Sequence, residues 1–175
     1  MPRAFASDDD HDLVQAERDV RAALGELQLD LRSLAAVSNI FRAATAVRNH
    51  MERTILAEHD LSWSAFTVLF VLRVWGDQET SELAGEAGIT TGTLTGVLKT
   101  LEKKSLARRR TSAADRRRVI VSATTKGRAA IDSIMPAFNA HERLVTRDLS
   151  ARERDELSAA LRCVLRTVEV LDRTV

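Results

Sequence analysis

Apolar positions in this chain recur mostly every three or four residues, a spacing that predicts helices. Leu13, Val20, Leu24 and Leu27 mark a helix from Leu13 to about Gln28, which Gly25 weakens by about 1 kcal/mol relative to alanine. A second, long helix is expected from Leu31 to Glu58. Its apolar positions, Leu34, Val37, Phe41, Ala44, Val47, Met51 and Ile55, are spaced much like a coiled-coil seam. That pattern reads both as a dimerisation face and as an ordinary core face, on different sides of the helix. Ser62 then caps a short helix that is apolar on nearly all sides, from Trp63 through Phe66, Leu69 and Phe70 to Trp75. Such a helix is buried, and Gly76 ends it as a C′ glycine does. Asp77 to Glu79 reads as a loop.

Two shorter helices follow. Ser81 to Ala87 carries Leu83, Ala84 and Ala87 on its apolar face. Gly88-Ile89-Thr90 makes a corner, where glycine permits a positive φ. Thr90 caps the next helix, Thr91 to about Lys104, which turns Leu94, Val97, Leu98 and Leu101 inward. Thr91, Thr93, Thr95 and Lys99, with Gly92 and Gly96 among them, are left outward. This face is short-chained and open enough to approach base edges and phosphates. A hairpin comes next: Leu106 to Thr111, a loop Ser112 to Asp115, and a return strand Arg116 to Ala123. Arg108, Arg109, Arg110, Arg116, Arg117 and Arg118 crowd into it, with Asp115 the only acid. A helix-turn-helix followed by an arginine-rich hairpin is a winged helix. One helix enters the major groove while the wing carries arginines to the backbone or minor groove.

Beyond the hairpin, Thr124 caps a helix to about Asp148, which Pro136 should kink. Leu149-Ser150 is a break, and Ser150 with Glu153 forms a capping box. It opens a last helix to about Asp172, striped by Leu157, Leu161, Val164, Leu165, Val168 and Leu171. The fold class is therefore mainly α with a small β-hairpin wing, a winged helix-turn-helix made dimeric through its N- and C-terminal helices. The expected divisions are 1–10, a disordered acidic tail; 11–60, N-terminal dimerisation helices; 61–124, the DNA-binding lobe; and 125–175, C-terminal dimerisation helices.

Net charge barely changes this picture. Against 25 acidic residues stand 26 basic ones, so the arginine cluster matters more than the total. The single cysteine, Cys163, excludes an internal disulfide and any multi-cysteine zinc site. No apolar run suits a membrane span, and the N-terminus lacks the apolar segment of a signal peptide. The expected location is cytoplasmic, with no membrane partner.

At SELAGEAGITTGTLTGVLKTLEKKSLARRR and DRRRVIVSATTKGRA the chain resembles the multiple-antibiotic-resistance regulator (MarR) family. The family signature is an Asp-x-Arg in the wing, here Asp115 and Arg117, followed by Thr-x-x-Gly opening the next helix, here Thr124 to Gly127. The similarity runs roughly from Leu31 to Val175. Where family members often carry Asn-Arg in the recognition helix, this chain has Gly96 and Val97, so operator sequence does not transfer. The resemblance implies a homodimeric regulator of transcription, with double-stranded DNA as partner and a small aromatic or lipophilic ligand as a candidate effector. The candidate DNA contacts are Thr90, Thr91, Thr93, Thr95 and Lys99 on the helix and Arg108, Arg110, Arg116 and Arg117 on the wing. Asp115 would support the wing by pairing with an arginine such as Arg109 or Arg118. In relatives, ligands bind between the dimer helices and the DNA-binding lobe. The matching surface here draws on Phe41, Arg48, His50, Trp63, Phe66 and Phe70, although plain core is the competing reading, preferred for Phe66 and Phe70. Urate sensors of the family carry a Trp in an extra first helix and an Asp where this chain has Thr67; neither is present.

No catalytic motif, cofactor loop or metal constellation stands out. His11 sits in an acidic cap, and His50 and His59 do not share a helical face. Two alternatives to an effector-released repressor remain: a non-specific architectural DNA-binding protein, and a thiol-responsive repressor using Cys163. Competition against random duplex separates the first from a sequence-specific regulator.

Overall fold

The computed structural model describes residues 10–24, 27–112, 115 and 117–174. Most of the expected tail, Gly25 and Arg116 lie outside the described residues. The chain forms two compact units, residues 1–50 and 51–175.

The first unit holds α1 (Asp10–Leu24) and most of α2 (Leu31–Thr54). Helix α1 ends at Leu24, short of the expected Gln28, and Asp30 caps the start of α2. The Asp30 carboxylate accepts from the amides of Arg32 (3.0 Å) and Ser33 (3.2 Å) and from the Ser33 hydroxyl (2.7 Å). That hydroxyl, above all, holds the Asp30 carboxyl below its usual range. Between the helices, Asn39 donates to Glu17 at 3.0 Å.

The second unit begins in the last turn of α2, where Met51 is buried. The helix stops at Thr54 rather than Glu58, and a 3-10 turn spans Leu56–His59. The tighter turn buries both Ile55 and Leu56, neighbours in sequence that one α-helical stripe would not serve equally. Asp60 follows in the left-handed region (φ 51°). The Ser62 side chain and Glu52 together cap α3 (Trp63–Trp75): Ser62 accepts from Ala65, and Glu52 Oε1 accepts from the Trp63 amide at 2.7 Å. Helix α3 is the centre of the core, with Ala65, Phe66, Val68, Leu69, Val71 and Leu72 buried.

Around α3 pack α4 (Thr80–Glu86), α5 (Thr91–Lys103), α6 (Thr125–Val145) and a three-stranded antiparallel sheet. The sheet is β1 (Gln78–Glu79), β2 (Ala107–Thr111) and β3 (Val119–Ala123), in the order β1-β3-β2. Gln78 and Glu79, expected in a loop, instead pair with Val121 and Ile120. The return strand starts at Val119, not Arg116, since Arg117 and Arg118 are still in the turn. The Arg118 amide bonds the Asp115 carbonyl (3.0 Å), and the Ser112 amide bonds the Arg118 carbonyl (2.9 Å).

Helix α6 runs through the exposed Pro136, which leaves the Asp132 carbonyl without its intrahelical donor. It stops at Val145, before the expected Asp148. The capping box at Ser150 and Glu153 is formed in both directions and opens α7 (Ala151–Asp172). No residue of α7 is buried, and its stripe of Leu157, Leu161, Val164, Leu165, Val168 and Leu171 faces out. Among the described residues no helix is long and apolar enough to cross a membrane.

Candidate nucleic-acid interface

The corner between α4 and α5 is set by Gly88 (φ 64°). The Thr90 hydroxyl accepts the Thr93 amide at 3.1 Å and lies 2.9 Å from the Thr93 hydroxyl, so these two side chains serve the first turn of α5. Leu94, Leu98 and Leu101 are buried against the core, and Val97 is half-buried. The opposite face exposes Thr91, Gly92, Thr93, Thr95, Gly96, Lys99 and Thr100. Thr95 and Thr100 donate their hydroxyl protons back to the carbonyls of Thr91 (3.0 Å) and Gly96 (3.3 Å). Each then offers acceptor lone pairs and a methyl group outward. Gly96 has open space around it, so the helix backbone itself is accessible there.

The junction from α5 to the wing is tight. Ser105 adopts the left-handed conformation (φ 59°), and the Leu106 amide bonds Leu101 at 2.8 Å. Thr124, the cap of α6, donates its hydroxyl proton toward the Ser105 (2.7 Å) and Leu106 (3.2 Å) carbonyls and accepts the Gly127 amide at 3.0 Å. Gly127 is required by close approach: a Cβ there would lie 2.0 Å from the Leu106 carbonyl oxygen. The family-signature threonine and glycine are thus the rivet between α6 and the base of the wing.

The wing arginines fall into two groups. Arg109 makes two parallel bonds to Glu102 of α5, Nε to Oε1 at 2.9 Å and Nη2 to Oε2 at 2.6 Å. Arg110 meets Asp77 at 3.3 Å, and Arg118 meets Glu79 at 2.6 Å and Asp115 at 3.7 Å. Among the described residues, Arg108 and Arg117 have no ion pair and are exposed. Asp115 Oδ1 accepts the Arg117 amide at 2.9 Å, which folds the wing tip. Of the two arginines considered for Asp115, only Arg118 reaches it; the strand register sets Arg109 opposite Val121, on the side of α5. Arg110, a candidate DNA contact, is engaged by Asp77, whereas Arg116 lies outside the described residues. Sequence reasoning passed over Glu102, Asp77 and Glu79, the counter-charges of the wing. Lys104 was missed as well: its Nζ bonds the Asp60 carboxylate (2.6 Å) and carbonyl, tying the end of α5 to the loop before α3.

The candidate ligand residues belong to both units. Phe66 is stacked on Phe138 with ring centroids 4.4 Å apart, and Trp63 lies 6.1 Å from the same ring. Phe70 adjoins Phe66 at 6.1 Å. These aromatics form the contact between α3 and α6, although Trp63 and Phe70 remain half-buried. In the other unit, Phe41 and Arg48 are exposed on α2 and His50 is half-buried. Cys163 is exposed on α7, with Arg166 Nη2 at 3.2 Å from its sulfur.

The MarR family model matches residues 61–119, from the start of α3 to the return strand of the wing. YwaE of Bacillus subtilis, an uncharacterized HTH-type transcriptional regulator, is 37% identical over 155 residues, covering 87% of this chain and 91% of that protein. The structure is similar to that of BpsR of Bordetella bronchiseptica, whose DNA binding is regulated by 6-hydroxynicotinic acid: TM-score 0.67 and 25% identity, over 74% of this chain and 98% of that one. It is also similar to a cysteine-to-serine mutant of MarR from E. coli complexed with operator DNA, with TM-score 0.65 and 25% identity, over 74% of this chain and 96% of that one. A near-full-length relative, and a family match centred on the helix-turn-helix and wing just described, place the chain in the MarR family of DNA-binding, winged helix-turn-helix transcriptional regulators.

Proposed function

We propose that the protein is a cytoplasmic repressor that binds a near-palindromic operator as a two-fold homodimer and is released by a small aromatic or lipophilic ligand. The observation that carries the DNA reading is the division of the wing. Among the described residues, three arginines are engaged in fastening it, and Arg108 and Arg117 are exposed and carry no ion pair. Thr91, Thr95 and Lys99 then meet the major groove, while Arg117 at the tip reaches a flanking minor groove, where negative potential is strongest over A·T pairs. The exposed stripe of α7 supports the dimer, since Leu165 and Leu171, each about 60% exposed, gain nothing from a lone chain. Residues 11–60 and 125–175 would supply the dimer helices and 61–124 the DNA-binding lobe. Two-fold symmetry sets half-sites about one helical turn apart, roughly 10 bp.

BpsR responds to a hydroxylated aromatic acid. A like ligand here must favour the DNA-incompetent arrangement to have any effect. The decisive experiment is fluorescence anisotropy on a labelled palindromic duplex, competed with random duplex at moderate salt. A regulator keeps the palindrome; equal competition makes the protein an architectural DNA binder. Arg117→Ala should lower the salt slope by about one unit and erase preference for A·T flanks. Release by aromatic acids supports the ligand reading, whereas release only by peroxide, abolished in Cys163→Ser, makes it a thiol switch.

A further inference from the structure

The recognition helix carries an acid where phosphate is expected nearby. Glu102 sits in the last turn of α5, three residues after Lys99, and its charge is unfavourable beside a polyanion. Arg109 neutralises it with the two parallel bonds described above, so the pair adds no net charge to the DNA-facing side. Both side chains are only about one-third exposed (35% for Arg109, 30% for Glu102). A fork-to-fork pair fixes direction as well as distance, because the guanidinium and carboxylate planes must align.

The place of this clip matters. It joins α5 to β2 across seven residues, bracketing the turn through Ser105 that leads from the helix into the wing. The other two wing clips, Arg110 to Asp77 and Arg118 to Glu79, end on β1 and the residue before it. Among the described residues, the Glu102–Arg109 pair is the one ion pair that joins the wing to the recognition helix. We propose that Glu102 and Arg109 are positioning residues that set the span between α5 and the wing-borne Arg108 and Arg117. On this view the pair decides how far from the major-groove contacts the flanking base pairs are read. The proposal rests on the DNA-binding reading above.

Charge and positioning predict different outcomes for Glu102→Gln. Loss of a negative charge alone strengthens binding to every duplex. Loss of the clip leaves binding to random duplex equal or stronger but lowers the preference for the cognate duplex. The probe is the duplex that wild-type protein enriches from a random library, measured by anisotropy against unselected duplex and by hydroxyl-radical footprinting. For Glu102→Gln we expect a fall of roughly tenfold in the ratio of the two affinities, the size of one lost base-reading contact. Protection of the flanks should vanish while the central protection persists. Arg109→Lys keeps the charge but cannot form two parallel bonds, and should show the same loss. The swap Glu102→Arg with Arg109→Glu should recover part of the preference. An unchanged ratio and intact flanking protection in Glu102→Gln, or wild-type behaviour of Arg109→Lys, overturns the proposal while leaving the DNA reading standing. If wild-type protein enriches no duplex, the DNA reading itself fails and takes the proposal with it.

Discussion

Alanine at Gly127 provides the sharpest test of the packing. The added Cβ would sit 2.0 Å from the Leu106 oxygen, 2.9 Å from its carbonyl carbon and 3.3 Å from its Cα. An ordinary carbon–oxygen contact is about 3.3 Å, so the two segments must part by more than 1 Å. All three atoms are backbone, and no side-chain rotation relieves the overlap. Parting them strains the Thr124 amide bond to Leu106 (3.0 Å) and the Thr124 hydroxyl bond to the same oxygen (3.2 Å). Overpacking costs about 1–3 kcal/mol, and each weakened bond adds up to about 1 kcal/mol. Alanine's better helix propensity returns at most about 1 kcal/mol. The net expectation for Gly127→Ala is a destabilisation of about 2–4 kcal/mol. Urea denaturation, followed by tryptophan fluorescence at one fixed protein concentration, reads it directly. Gly96→Ala is the matched control, since nothing lies within 4 Å of a Cβ there. It should stabilise by about 0.5–1 kcal/mol. A midpoint for Gly127→Ala at or above wild type would refute the close-approach argument.

Ser105→Gly should raise stability by about 0.5–1 kcal/mol in the same assay, because Ser105 holds φ at 59° and glycine does so without strain. Leu165→Glu should convert a dimer to monomers by light scattering at micromolar concentration while leaving helicity intact, as that side chain is exposed in the single chain; an unchanged mass would place the dimer contact elsewhere. Acid should unfold the protein from a definite direction. Hydrogen bonds from Ser33, Lys104, Arg109 and Ser150 depress the carboxyls of Asp30, Asp60, Glu102 and Glu153, respectively. A depressed carboxyl contributes stability that is complete above its unfolded value and is lost as pH falls through its folded one. With ordinary values of 3.8 for Asp and 4.5 for Glu, the denaturation midpoint should be flat near neutrality and fall below about pH 4; a decline already at pH 6 would refute this assignment.

What could be read from the sequence was local. Ser62, Thr90, Thr124 and Ser150 were legible as caps because a cap bonds an amide two or three residues on, within any reading window. The buried stripe of α5 and the apolar belt of α3 were legible for the same reason. The third strand was not: Gln78 and Glu79 are two polar residues whose partners, Val121 and Ile120, lie some forty positions away. The 3-10 turn at Leu56–His59 was hidden as well, since helical periodicity continues through Ile55 and only the core demands that Leu56 turn inward too. At the candidate site the arginines were obvious and their division was not. Whether an arginine faces DNA or a carboxylate depends on strand register, which sets Arg109 opposite Val121 and Arg110 opposite Ile120.

The Thr124 hydroxyl has a mechanical consequence. By bonding Ser105 and Leu106 and holding the first turn of α6, it makes the end of the recognition helix and the start of α6 one stiff joint. A signal arriving along α6 cannot be absorbed at that joint, so compliance must sit farther along the lever. Pro136 supplies it, one missing amide in an otherwise continuous helix, a turn beyond the Asp132 that Arg73 tethers to α3. Bending there leaves the joint rigid and the tethered first half of α6 in place, and swings only the second half.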